Sequence, residues 1–117
     1  MIQTLVDILS RSPETVQFAN VIDVINASYH FSPTQFSNGV GENKVVNALG
    51  TNEGSCRIFA FAKLHVLSVE QTLHCFGDYY RNDVLENLKG NDHANIRHFM
   101  VSGWEGIVFE GQALALK

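Results

Sequence analysis

A cysteine beside a cation lies near the start of an otherwise apolar run, GSCRIFAFAKLH, which extends from Gly54 to His65. The apolar spacing predicts a buried helix with Ser55 as its N-cap, so Cys56 would lie in the first helical turn next to Arg57. A helix N-terminus and an adjacent cation both lower a thiol pKa and raise the thiolate fraction that a nucleophile needs. The alternative, which we favour, is that Cys56 packs as a small buried hydrophobe, because free cysteines are among the most buried residues.

An acid and a histidine stand side by side in NDHANIRH, at Asp92 and His93. A carboxylate beside an imidazole can orient it as a general base, so a triad of Cys56, His93 and Asp92 is one hypothesis for an enzyme. The triad requires His93 to lie within hydrogen-bonding distance of the thiol. Asp92 is explained equally well as the N-cap of the following helix, on which Arg97 would share a face with His93.

Aromatic and cationic residues form a second kind of candidate site. Tyr79 and Arg81 in DYYR, together with Trp104, could line an aromatic pocket with a cationic floor for a carboxylate or phosphate ligand. Residues of these types also commonly pack the core and its edge. The ligand-binding candidates are polar, aromatic or cationic residues in or near these motifs: Asn52, Ser55, Arg57, Tyr79, Arg81, Arg97 and Trp104.

Metal and cofactor motifs are missing from the sequence. The histidines and cysteines that could bind a metal lack HxxxH, HExxH and CxxC spacing. No metal site is therefore predicted at His65, His74, Cys75, His93 or His98. The patterns GxGxxG, GxxxxGKS/T and GxSxG do not occur either, which removes the commonest nucleotide-binding and hydrolase assignments. We therefore predict no cofactor.

The composition is typical of one acidic globular domain, predicted to span residues 1–117. Of the 117 residues, 45% are hydrophobic and 17% are charged, which suffices for a core of its own. The net charge of −4 and the scattered basic residues argue against nucleic acid as a partner. Two cysteines without framework spacing indicate a reducing compartment, and no secretory signal or apolar run of about 20 residues is visible. We expect a cytoplasmic protein with no membrane partner.

Two helices are predicted within the first thirty residues. Apolar residues recur at helical spacing over Ile2–Leu9 and indicate a short amphipathic helix. Ser12, followed by a proline and an acid, would cap a second helix over residues 13–27. The longer helix would pack one apolar stripe against the core.

Two more helices follow the apolar run. The stretch SVEQ, at residues 68–71, has the spacing of a capping box and begins a helix that is expected to continue through Gly77. Asn91 or Asp92 would cap a last helix, which ends at Gly103.

Extended structure is predicted in two remote segments, near residues 29–37 and 106–116, where aromatic and β-branched residues lie between turn residues. Residues 40–53 indicate a long loop with one helical turn near 44–48. Since helices dominate, we predict a mostly helical α+β domain in which the two remote segments form a small antiparallel sheet.

Several unusual clusters occur together along the chain: FSNG, NEGSCRIFAFAKLHVLS, QTLHCFGDYYRNDVL, DHANIRHFM and GWEGIVFEG. Taken in this order they resemble the HopJ family of type III effector proteins, over nearly the whole chain. The resemblance implies secretion through a type III system, with a host protein as the partner. It implies no catalytic residues.

Three functional hypotheses follow from the residues and the resemblance. The protein is an exported effector, a cytoplasmic protein that binds a ligand or partner, or a small enzyme that uses Cys56 or the pair Asp92 and His93. Type III export signals are generally Ser-rich and poorly ordered, whereas the helix over Ile2–Leu9 should dock on the core. Export would require that helix to be released. A cytoplasmic housekeeping or binding role is slightly favoured over catalysis, and the molecular activity stays open.

Overall fold

Helices and short strands follow one another through the whole chain, and the computed structural model describes all residues from Met1 to Lys117. The helices are α1 (Ile2–Arg11), α2 (Phe18–Ser28), α3 (Glu53–Leu64), α4 (Val69–His74) and α5 (Ala94–Ser102). The strands are β1 (Tyr29–Phe31), β2 (Phe36–Asn38), β3 (Val45–Asn47), β4 (Val108–Phe109) and β5 (Leu114–Leu116). Single 3₁₀ turns occupy Pro13–Thr15, Gly41–Asn43 and Gly103–Gly106, and Tyr79–Val84 is a π-helix. No helix combines the length and the apolar character needed to cross a membrane.

The strands form two small antiparallel sheets, and the predicted α+β class is confirmed. In one sheet β1 pairs with β5, so that Tyr29 lies opposite Leu116. In the other, β2 lies between β3 and β4. Both remote segments therefore supply strands, as predicted. The helical turn predicted near residues 44–48 is wrong, because Val45 and Val46 are β-branched and pair with β2 as β3 instead.

The core is built around α3, the apolar run of the sequence. Phe59 is fully buried and contacts Phe36, Phe76, Phe99 and Trp104, with ring centroids 4.9 Å apart in the closest pair, Phe59 and Phe99. Aromatic rings at these distances and tilts add to the stabilisation that burial alone provides. The prediction that this run is a core helix is confirmed.

The helix predicted over residues 13–27 is interrupted at its start. A 3₁₀ turn at Pro13–Thr15 is followed by extended backbone at Val16, and α2 begins only at Phe18. Ser12 makes no capping hydrogen bond. The guanidinium of Arg81 donates to the carbonyls of Pro13 and Val16. Those two carbonyls thus accept from a side chain that is distant in sequence, so they do not need the backbone donors of a continuous helix over residues 13–17.

The capping box at Ser68 and Gln71 is confirmed, since each side chain bonds the backbone amide of the other residue. The predicted continuation of this helix through Gly77 is wrong. Gly77 has φ of +59°, and a Cβ there would lie 2.7 Å from the backbone nitrogen of Phe18. Only glycine fits this conformation and this approach, so α4 ends at His74.

Candidate functional site

A cleft of about 490 Å³ opens between the first turns of α3 and α5, and we call it the α3/α5 cleft. Its walls carry the aromatic rings of Phe18, Phe76 and Tyr79, and its polar groups include Asn52 and Ser55. The lining contains no lysine, arginine, aspartate or glutamate side chain. The site thus combines an aromatic surface with the polar side chains of asparagine and serine and with one histidine.

Both helices that meet at the cleft begin in the same unusual way. The N-cap residues Asn52 and His93 both have φ of 49°, in the left-handed region that few residues other than glycine adopt. No side chain caps either helix. The amides of the first turns, at Gly54 and Ala94 among others, have no intrahelical acceptor, and both of these residues line the cleft.

Ser55 and Asp92 are therefore not the helix caps that their residue types predict. Helix α3 starts two residues before Ser55, and α5 is preceded by His93 in place of Asn91 or Asp92. A cap that folds over the helix start would cover the amides that these N-termini leave open. The predicted end of α5 at Gly103 is confirmed, with φ of +59° at that glycine.

Four asparagines form a hydrogen-bonded group below the cleft, which we call the asparagine cluster (Asn38, Asn47, Asn52 and Asn95). Asn38, Asn47 and Asn95 are 0%, 1% and 7% exposed. Asn95 Oδ1 accepts from the side-chain amides of Asn38 and Asn47, both at 3.1 Å, and Asn95 Nδ2 donates to Asn47 Oδ1 at 2.9 Å. Asn52 Nδ2 also donates to Asn47 Oδ1, at 2.7 Å.

Two backbone carbonyls fix the orientation of the cluster. Asn38 Nδ2 donates to the carbonyl of Asn95 at 2.8 Å, and Asn47 Nδ2 donates to the carbonyl of Phe36 at 3.4 Å. A carbonyl only accepts, so neither side-chain amide can be reversed without losing a bond. Asn38 Oδ1 is buried and receives no hydrogen bond. The cluster joins β2, β3, α5 and the residue before α3, which fixes the two helix starts relative to each other.

Aromatic and ionic contacts connect the π-helix to the rim of the cleft. His93 Nε2 lies 3.0 Å from Asp83 Oδ2, and the His93 ring lies 5.3 Å from the Tyr79 ring. Tyr79 in turn packs edge-on against Phe18, at 5.1 Å. The carboxylate that orients His93 is therefore Asp83, and the expected pairing of His93 with its neighbour Asp92 is wrong.

Asp92 bonds to Arg97 instead. Arg97 Nη2 lies 2.6 Å from Asp92 Oδ1, and this hydrogen bond is the main cause of the lowered pKa of Asp92. The same guanidinium donates to the carbonyls of Asp92 and Asn87. Arg97 thus closes the loop that leads into α5 and does not line the cleft.

Cys56 is 1% exposed, and its Sγ lies 3.9 Å from the carbonyl of Thr34. Burial raises the pKa of the Cys56 thiol, and this outweighs the opposite effects of the Thr34 hydrogen bond and the Arg57 charge. Arg57 lies over the Phe31 ring and donates to Asn26 Oδ1. The alternative of a reactive thiolate at the helix start is not supported, because Cys56 is packed in the core. The packing role that the sequence favoured is the one the geometry supports.

The predicted pocket of Tyr79, Arg81 and Trp104 does not form. Trp104 packs against the core rings and donates from Nε1 to the carbonyl of Leu67 at 2.9 Å. Arg81 is engaged by backbone carbonyls and by His74 Nδ1 at 3.0 Å. A guanidinium only donates, so His74 accepts with Nδ1 and is neutral; burial, and then the Arg81 charge, lower the pKa of His74. No cationic floor faces the cleft.

Four of the sequence candidates do come together at the cleft: Asn52, Ser55, Tyr79 and His93. The sequence does not point to Asn38, Asn47 and Asn95 as site residues: Asn47 lies in the segment predicted as a loop, Asn95 lies in a predicted helix, and no local pattern indicates that the three side chains meet. The β-branched pair before Asn47 could have indicated that it ends a strand. No group of three or more histidine, cysteine, aspartate or glutamate side chains is arranged to hold a metal ion.

The fold and cleft define a small α+β protein with a mainly uncharged, aromatic cleft between two open helix N-termini. The chain belongs to the HopJ type III effector protein family, whose model matches residues 2–114, so the sequence resemblance is confirmed. Its structure is similar to one described as the crystal structure of the unknown-function protein VPA0580, with a TM-score of 0.95 and 49% identity. The alignment covers 100% of this chain and 94% of that one. No curated protein matches the sequence.

The burial of both thiols leads to a prediction about their reactivity. Burial raises the pKa of Cys75 to about 12 and also raises that of Cys56. Native protein should react with an aromatic disulfide reagent at pH 8 at least about 100-fold more slowly than the urea-unfolded chain, because reaction awaits an opening of the core.

The control is a Ser55→Cys variant in which Cys56 and Cys75 are replaced by serine and alanine, respectively. Its single thiol would lie at the cleft and should react quickly in the folded state. A Cys56 that reacts in native protein as fast as this control would contradict the packing role.

Proposed function

We propose that this protein binds a small molecule in the α3/α5 cleft. The observation that carries the proposal is the cleft itself, whose volume of about 490 Å³ lies within the range of small-molecule sites. Its aromatic walls and few converging polar groups match the composition of such sites. Four residues selected from the sequence for their chemistry line it: Asn52, Ser55, Tyr79 and His93.

The rigidity of the cleft floor supports binding. The asparagine cluster holds the starts of α3 and α5 together: Asn38, Asn47 and Asn95 are almost fully buried, and Asn47 accepts from the exposed Asn52 at the start of α3. A site whose polar groups are fixed before the ligand arrives loses less conformational entropy on binding. The cluster therefore favours binding by holding the cleft in a fixed geometry, and only some of its atoms need to contact the ligand.

Catalysis has less support than binding. The candidate nucleophile Cys56 is buried against Thr34 and does not line the cleft. Asp83 orients His93 at the rim, but an oriented imidazole needs a nucleophile or an acidic substrate proton within reach. We therefore place a binding protein ahead of a Cys/His enzyme.

Filling the mouth of the cleft tests the proposal. Ala94 is exposed, lines the cleft and has no side-chain partner to lose, so Ala94→Trp should fill the site. Some members of a library of aromatic fragments should shift the amide resonances of Gly54, Ser55 and Ala94 in the wild-type protein. These fragments should bind the variant at least about tenfold more weakly, a loss of binding free energy comparable to that of one hydrogen bond or more.

The matched control is Val101→Trp, near the other end of α5, where Val101 is 87% exposed. It should bind fragments as the wild type does, and both variants should keep the wild-type melting temperature within a few degrees, as surface substitutions usually do. The proposal fails when no fragment shifts the cleft amides, or when Ala94→Trp binds as tightly as Val101→Trp.

We also propose, on the family description alone, that the protein is exported as a type III effector. Export would require the N-terminal segment to leave the core, because Leu5 and Leu9 of α1 are only 6% and 1% exposed. Type III export segments are generally poorly ordered, so α1 would have to be released or kept unfolded before transport.

A translocation reporter fused to the first few dozen residues tests export. The fusion should reach host cells from a secretion-competent strain and should stay inside a matched strain that lacks the secretion apparatus. A known effector fused to the same reporter is the positive control. Failure of the fusion in a strain that exports the control would contradict the effector role and leave ligand binding unaffected.

A further inference from the structure

We infer that the α3/α5 cleft takes an aromatic ring that carries an uncharged amide group. This inference rests on the proposed function, since it names the ligand class of the same cleft. Three features of the site support it: the absence of a free charge, an acceptor of fixed orientation beside open donors, and an aromatic wall.

The first feature is the charge of the lining. The lining contains no lysine, arginine, aspartate or glutamate, and Nε2 of its one histidine, His93, is already hydrogen-bonded to Asp83. The nearby cations Arg57, Arg81 and Arg97 are engaged away from the cleft. A carboxylate, phosphate or ammonium ligand would thus find no lysine, arginine, aspartate or glutamate side chain of opposite charge in the lining to offset the water that it loses. An uncharged ligand avoids this cost.

The second feature is an acceptor whose direction is set by the asparagine cluster. Asn47 is anchored by the carbonyl of Phe36, so its Oδ1 is the atom that receives the side-chain amides of Asn95 and Asn52. Asn52 must therefore turn its Nδ2 inward, and its Oδ1 is left without a protein partner. Since Asn52 lines the cleft, it offers an acceptor there.

Donors lie beside this acceptor. The amides of Gly54 and Ser55 follow Asn52 directly, and both residues line the cleft. Neither amide has an intrahelical acceptor, because α3 bonding begins with Cys56, whose nitrogen donates to the carbonyl of Asn52 at 3.0 Å. An amide group presents a carbonyl next to an N–H, so it can accept from the helix start and donate to Asn52 Oδ1 at once.

The third feature is the wall that would hold the ring. Phe18, Phe76 and Tyr79 line the cleft, and Tyr79 is fixed between Phe18 and the His93 ring. Aromatic side chains in this arrangement favour edge-to-face or offset contacts with a further ring. The planar body of the ligand would pack here while its amide reaches the start of α3.

Three probes with the same ring separate the ligand classes: benzamide, benzoate and benzylamine. In titrations followed by amide NMR, benzamide should shift the resonances of Gly54 and Ser55. Its affinity should be at least about tenfold above the affinities of the two charged probes, because it gains about one hydrogen bond that they lack. Equal or tighter cleft binding by benzoate or benzylamine would overturn the ligand class and leave the proposed function standing. Failure of all three, with no other aromatic fragment at the cleft, would overturn both.

A variant isolates the role of Asn52. Asn52→Gly keeps the left-handed backbone that this position needs and removes Oδ1, together with the Nδ2 that donates to Asn47 Oδ1. It should lower the benzamide affinity by about tenfold with little change for benzoate, so that selectivity falls. The matched control is Asn43→Ala, an exposed asparagine of the 3₁₀ turn that does not line the cleft, and this variant should leave both affinities unchanged. If Asn52→Gly lowers the affinities for benzamide and benzoate equally, Asn52 has only a structural role, and the inference that it selects the amide ligand is wrong.

Discussion

The side-chain amide of Asn95 bonds to two other buried asparagines, and the rest of the site depends on this contact. Asn95 Oδ1 and Nδ2 connect α5 to β2 and β3, and Asn47 passes the connection on to Asn52 at the start of α3. Buried amides are costly when they lack partners and stabilise a single arrangement when they have them. Segments that are far apart in sequence are thereby held in one geometry.

The geometry of the cleft follows from this arrangement. Because Asn52 and Asn95 belong to the cluster, α3 and α5 begin next to each other, and the uncapped first turns face one space. The aromatic core around Phe59 supports these helices from the other side. A buried polar cluster thus sets the positions of the helix starts, while apolar packing sets the positions of the helix bodies. Membership of the HopJ family is compatible with such a site and names no ligand for it.

Local patterns predicted the elements whose sequence signals are local. The capping box at Ser68 and the apolar run of α3 lie within a few residues of the chain, and both are confirmed. The rest depends on partners that are distant in sequence. Arg81 donates to the carbonyl of Pro13 from 68 residues away, and Asn38 bonds Asn95 across 57 residues. Hydrophobic periodicity does not indicate contacts between residues that are distant in sequence, so the asparagine cluster and the cleft could not be derived from the sequence. Several residues of the cleft could still be selected by their residue type.

A double-mutant cycle on Asn47 and Asn95 tests the central claim most directly. Free energies of unfolding in urea would be measured for Asn47→Ala, Asn95→Ala and the double variant. Both single variants should be destabilised, and the double variant should lose less than the sum, with a coupling of about 1 to 3 kcal/mol, because each single change already breaks the shared bonds. Additive losses would contradict the account, since the two amides would then not act as one unit.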